Sequence, residues 1–142
     1  MPNSIAAGRD EPALRPRRGV RVVVADDERD AVMTLAQILI DEGYEVREVY
    51  RGDAVLGAVR EFDPHAVLLD IGMPGMTGYE VARELRALYG GERPLLIAVT
   101  GWTKGADEVL GKIVGFQHYV RKPYETATIL ELLETITPPR TA

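Results

Sequence analysis

Asp26 and Asp27 stand directly behind an apolar β-branched run, Val20-Arg21-Val22-Val23-Val24-Ala25, and Asp70 stands directly behind a second, Ala66-Val67-Leu68-Leu69. Two more polar residues hold the same kind of position: Thr100 closes the run Pro94–Val99, and Lys122 follows Gln117–Arg121. Short apolar runs bounded by chain breakers read as buried parallel strands. Open α/β sheets bind ligands just outside the carboxyl ends of such strands. Three carboxylates gathered there repel one another unless a cation joins them. Hard oxygen donors select a hard divalent ion, and Mg²⁺ fits best. A carboxylate nucleophile, a metal across phosphoryl oxygens and fixed donors for the remaining charge are the parts of a phosphoryl transfer. The residues divide accordingly: Asp70 is the nucleophile, Mg²⁺ bridges, and the Thr100 hydroxyl and Lys122 ammonium receive phosphoryl oxygens.

Convergence of these side chains requires elements that bring the strand ends together. Apolar runs alternate with helical periodicity five times along the chain. The first strand covers 20–25, and Val32, Leu35, Ala36 and Leu39 follow at the i, i+3, i+4, i+7 spacing of one buried helix face. Gly43 stops that helix ahead of a second strand, Tyr44–Val49, and Val55, Ala58, Val59 and Phe62 repeat the helical spacing. Asp63-Pro64 ends the second helix, and the third strand then delivers Asp70. A third helix follows the loop Ile71–Thr77, with Val81, Leu85 and Leu88 facing inward and a Thr77/Glu80 capping box at its start. Strand 4 is read over Pro94–Val99, a fourth helix over Gly105–Val114 and strand 5 over Gln117–Arg121. Ile129, Leu132, Leu133 and Ile136 mark the last helix before Pro138-Pro139 closes it. Five βα units predict an α/β fold: a doubly wound, five-stranded parallel sheet in the flavodoxin-like order 2-1-3-4-5. Strands 1, 3, 4 and 5 are then consecutive, and their polar ends share one edge.

The 142 residues suit one domain, with an apolar content of 46% and a charged content of 27%. The absence of cysteine excludes disulfides, thiolate zinc sites and cysteine nucleophiles. No apolar stretch approaches the roughly 20 residues of a membrane span, and the N-terminus lacks a signal-peptide apolar region, so a cytoplasmic protein without membrane contact is expected. Net charge is -5, yet residues 1–19 carry four arginines against Asp10 and Glu11. The acidic remainder argues against direct nucleic-acid binding. The expected organisation is a disordered leader over 1–19, one domain over 20–137 and a tail over 138–142. No output domain is expected after residue 139.

In order and spacing, Val-Val-Val-Ala-Asp-Asp at 22–27, Leu-Leu-Asp-Ile-Gly-Met-Pro-Gly-Met-Thr-Gly at 68–78, Ala-Val-Thr-Gly-Trp at 98–102 and Tyr-Val-Arg-Lys-Pro at 119–123 resemble the receiver domain of bacterial two-component response regulators. The resemblance runs from about 20 to 136. It implies that Asp70 accepts a phosphoryl group from a histidine kinase or histidine phosphotransfer protein. It also implies Asp27 as a direct Mg²⁺ ligand, Asp26 acting through water, and the Gly72 carbonyl as a ligand. Thr100 and Tyr119 become the switch pair, the hydroxyl moving toward the phosphate and the ring turning inward behind it. Lys122-Pro123 matches the family's cis pairing. Thr77 departs from the aspartate of many relatives, but both residue types cap helices well. Glu125 is a poor cap for the last helix, which leaves that boundary open.

Each residue alone has an ordinary explanation. A lone acid at a strand end is commonly a helix cap, Lys122 a surface lysine, Tyr119 an edge-strand aromatic; their conjunction is what signals a site. Gly72, Gly75 and Gly78 follow strand 3 without dinucleotide-fingerprint spacing and read as turn residues. A flavin or dinucleotide protein on the same fold is disfavoured because Asp-Asp-Glu at 26–28 repels a phosphate where backbone amides should cradle one. His65 and His118 have no metal-ligand spacing, and Trp102 should overhang the site. The expected function is a stand-alone receiver that catalyses only its own phosphorylation and dephosphorylation and is otherwise no enzyme. A phosphorylation-independent adaptor is the alternative. The fourth helix, fifth strand and last helix form the candidate face for a downstream protein, with the chain a monomer or a weak phosphorylation-linked dimer.

Overall fold

β-branched residues on both faces of one short strand favour burial from two sides. In β1 (Arg21–Ala25), Val22 and Val24 enter one apolar cluster while Val23 and Ala25 enter the other. The computed structural model of the chain describes residues 19–91, 93–101 and 115–136. The expected leader (all but Gly19), the fourth helix at 105–114, Trp102 and the tail lie outside these residues.

After β1 come α1 (Arg29–Asp41), β2 (Glu45–Val49), α2 (Val55–Phe62), β3 (Ala66–Leu69), α3 (Gly78–Tyr89), β4 (Leu95–Thr100), β5 (His118–Arg121) and a C-terminal helix (Thr126–Leu133). The strands form one parallel sheet in the order β2-β1-β3-β4-β5, as the alternation of patterns predicts. α1 and the C-terminal helix cover one face, through Val32, Leu35, Leu39, Ile129 and Leu133. α2 and α3 cover the other, through Val55, Val59, Val81, Ala82 and Leu85.

The helical spacing holds where a helix lies on the sheet and fails where it overruns it. Leu88 was expected inward but is 57% exposed, as Tyr89 is 45% exposed, because the last turn of α3 runs past the layer that buries Val81 and Leu85. Ala82 takes the inward place instead. Ala58, Phe62, Leu132 and Ile136 are half-buried at the borders of the two clusters. The capping box at α3 is formed: the Glu80 amide donates to Thr77 Oγ1 at 3.2 Å, and the Thr77 amide donates to Glu80 Oε1 at 2.8 Å. Glu125 is the N-cap of the C-terminal helix and makes no side-chain cap bond, in keeping with its residue type.

His65 is structural. Its Nδ1 accepts the Arg21 amide at 3.0 Å, and its carbonyl accepts the Leu95 amide at 2.9 Å, joining β1 and β4 across the start of β3. Burial, followed by the positive charges of Arg21 and Arg93, holds its pKa below the ordinary histidine value. A histidine with a lowered folded-state pKa contributes stability that is complete above about pH 6.5 and is lost as pH falls through the folded pKa. The urea-unfolding free energy of the wild type, minus that of His65→Asn, is therefore expected to shrink as pH falls from about 7.5 to 5. A difference independent of pH would show that His65 titrates alike in both states.

Candidate active site at the carboxyl edge of the sheet

Parallel strands send all their carboxyl ends to one edge, and the hydrogen-bond ladder here extends one residue past several of them. The Asp26 amide donates to the Val49 carbonyl at 3.0 Å, the Asp70 amide to the Ala25 carbonyl at 3.0 Å and the Lys122 amide to the Thr100 carbonyl at 2.9 Å. Ala25 pairs with Leu69 in register, so Asp26 and Asp70 leave neighbouring strands side by side. Carboxylate oxygens of Asp26, Asp27 and Asp70 lie within 4.8 Å of one another. Asp26 and Asp70 are buried and Asp27 is exposed.

Lys122 reaches back over this edge. Its Nζ lies 2.7 Å from Asp26 Oδ2, and 3.9 Å from both Asp70 Oδ2 and Glu28 Oε1. The other oxygen of Asp26 accepts the Glu28 amide at 3.0 Å, so both of its oxygens are engaged. Asp70 Oδ1 accepts the Gly72 amide at 3.3 Å. Asp27 makes no hydrogen bond or ion pair among the described residues, which leaves its carboxylate available to a ligand. Thr100 is buried at the end of β4, and Tyr119 is half-buried on β5, in register with Ala98. The peptide bond between Lys122 and Pro123 is cis, as the resemblance implied; the cis bond between Arg93 and Pro94 was not foreseen.

Burial and the neighbouring charge of Asp26 push the Asp70 pKa up to about 6, against the pull of Lys122 and the Gly72 amide. Burial acts the same way on Asp26, but there the hydrogen bonds from Lys122 and the Glu28 backbone prevail and hold it below the usual carboxylate value. Lys122 is in turn raised: burial alone would lower it, and the acids around it win. The unequal acids follow from unequal access to one ammonium. A divalent cation among the three carboxylates would relieve the repulsion that Lys122 leaves uncancelled on Asp70. An all-oxygen donor set with one free exposed carboxylate suits Mg²⁺.

The loop after Asp70 is held from two sides. The Gly52 amide donates to the Pro74 carbonyl at 3.0 Å, and a Cβ on Gly52 would stand 1.8 Å from the Met76 carbonyl oxygen. Gly75 has a φ of +87°, so the turn reading holds there, and its backbone lies against Asp53. Gly78 instead allows close approach, since a Cβ on it would come 2.7 Å from Ile71 Cα. A Cβ on Gly72 would meet nothing within 4 Å among the described residues. The support from Gly52 was not legible in the sequence, where a glycine ahead of a helix reads only as a turn signal. An open cavity of about 440 Å³ adjoins the acids, its lining including Asp26, Asp70, Lys122 and the apolar Val24, Leu35 and Val99.

A family model described as the response regulator receiver domain matches residues 22–134. Solved structures agree in fold. A CheY-like receiver domain protein from Methanospirillum hungatei JF-1 is 28% identical with a TM-score of 0.76, covering 82% of this chain and 91% of that one. The chemotaxis protein CheY4 of Vibrio cholerae is 26% identical with a TM-score of 0.76, covering 82% and 98%. The response regulator TrrA of Thermotoga maritima, solved in complex with Mg²⁺ and BeF, is 28% identical with a TM-score of 0.72, covering 82% and 97%.

The geometry leads to opposite expectations for Asp27 and Lys122. Asp27→Ala is expected to weaken Mg²⁺ binding about tenfold or more by removing the one unengaged carboxylate of the cluster. Lys122→Ala should leave binding unchanged or tighter, because Asp26 loses the cation that competes for its oxygen. Calorimetric titration of both variants with Mg²⁺ checks this; the opposite ranking would relocate the metal.

Proposed function

Because this chain belongs to the response regulator receiver domain family, we propose that it is a signalling phosphoacceptor whose Asp70 takes a phosphoryl group from a histidine kinase or histidine phosphotransfer protein in the cytoplasm. The observation that carries this reading is the cluster of Asp26, Asp27 and Asp70 with the Lys122 ammonium 3.9 Å from Asp70. An oxygen of Asp70 attacks phosphorus as the bond from phosphorus to the donor's histidine nitrogen breaks, leaving an acyl phosphate on Asp70. Lys122 exchanges its 2.7 Å contact with Asp26 for a phosphoryl oxygen, and the buried Thr100 hydroxyl donates to another.

Asp27, Asp70 and the Gly72 carbonyl would hold Mg²⁺, with Asp26 acting through water; the ion, when bound, supplies positive charge to the carboxylates and the transferring phosphoryl oxygens. The complex of the Thermotoga maritima relative with Mg²⁺ and BeF supports carrying this over. Thr100 and Tyr119 form the switch, and the face containing β5 and the C-terminal helix is the surface through which a downstream protein reads it. The product of the reaction is a conformation, with no separate metabolite transformed. Among the described residues no helix is long and apolar enough to cross a membrane.

Incubation with acetyl phosphate and Mg²⁺ is expected to add one phosphoryl mass to the wild type and none to Asp70→Asn, read by intact mass spectrometry. Equal labelling of the variant would move the acceptor elsewhere. No labelling of either, in protein that binds Mg²⁺, would instead favour an adaptor that works without phosphorylation.

A further inference from the structure

Tyr79, the second residue of α3, was not singled out by its sequence context. Its hydroxyl lies 3.1 Å from that of Tyr119 on β5. Both rings stand edge-on to Phe116, each with a centroid separation of 6.4 Å and an interplanar angle of 73°. Phe116 is buried in the cluster formed with α2 and α3, and the two tyrosines pack against that cluster. The backbone that carries Tyr79 is seated on the acid loop itself. The Gly78 amide donates to the Ile71 carbonyl at 2.9 Å, and a Cβ at Gly78 would meet the Asp70 carbonyl oxygen at 3.0 Å. The capping box fixes the same turn from outside. One residue past a direct contact with the Asp70–Ile71 backbone, a side chain thus meets the hydroxyl of the β5 tyrosine.

We propose that Tyr79 is a positioning residue for Tyr119: its hydroxyl holds the switch ring in the packed orientation and ties that orientation to the backbone carrying Asp70. The inference rests on the switch role of Tyr119 proposed above. The contact between the two hydroxyls exists only while the Tyr119 ring lies against Phe116, and a ring turned to solvent loses it. The bond therefore favours one orientation over the other, which is the requirement for biasing a two-state element. If the packed orientation is the one a phosphoryl group at Asp70 favours, linkage requires the bond to tighten equilibrium binding of a phosphoryl mimic there. A tyrosine that only filled space beside Phe116 would be replaced by phenylalanine without consequence for Tyr119.

The test uses the full chain labelled with 3-fluorotyrosine, the Tyr119 resonance being identified by its loss in Tyr119→Phe. In Tyr79→Phe, which keeps the ring, the Tyr119 fluorine signal is expected to move toward its solvent-exposed position. The beryllofluoride midpoint, measured with Mg²⁺ present, should rise about 2- to 10-fold, the effect of one net hydrogen bond. In the Tyr119→Phe background, Tyr79→Phe should add nothing further. An unmoved Tyr119 resonance in Tyr79→Phe overturns the proposal. A moved resonance with an unchanged midpoint overturns its link to Asp70. Failure of beryllofluoride to bind the wild type would overturn the phosphoacceptor reading instead, since the fluorine signal reports on the contact without it.

Discussion

Hydrogen bonding between β1 and β3 forces two carboxylates to share one small volume. The Asp70 amide is bound to the carbonyl of Ala25, the residue before Asp26, so neither acid can withdraw without breaking the ladder. Two buried like charges at this separation are costly, and one ammonium, Lys122, is placed to offset them. It lies closer to Asp26 than to Asp70. Asp26 is thereby kept ionised and fully engaged, while Asp70 is left short of positive charge with a pKa pushed up to about 6. That asymmetry leaves two neighbouring acids in unlike electrostatic surroundings.

The rest of the molecule keeps this arrangement in place. Alternate residues of β1 feed two separate apolar clusters, so the sheet is clamped between helices on both faces. Side-chain packing holds the strands, and close backbone contacts hold the loops. Gly52 and Gly78 let neighbouring chain segments approach the loop after Asp70 more closely than any side chain would permit. Through Gly78 the acid loop bears on α3, and through Tyr79 α3 bears on β5. The acid loop, α3 and β5 are thus joined by consecutive contacts.

Short-range signals carried the element order a long way. The i, i+3, i+4, i+7 set of α1 is fully buried, the Thr77/Glu80 box is formed, and the strand order follows from five βα units. The failures are tertiary. Leu88 has the right period but lies on a turn that overruns the sheet, and periodicity carries no information about where a covering layer stops. Gly52 and Tyr79 act across gaps of roughly twenty to forty residues, and no local pattern distinguishes such a glycine from a turn or such a tyrosine from core filling.

What the sequence determined by itself was which residues end the strands: apolar runs stopping at Asp26, Asp70 and Thr100, with Lys122 behind a fifth, are local facts, and parallel topology sends them all to one edge. What only the tertiary structure decided was how those groups share their charges. Whether Lys122 neutralises Asp26 or Asp70 depends on differences of about an ångström between side chains 96 and 52 residues apart in the chain. Coulombic and hydrogen-bond energies change steeply over such distances once water is excluded, and only the packed fold fixes them.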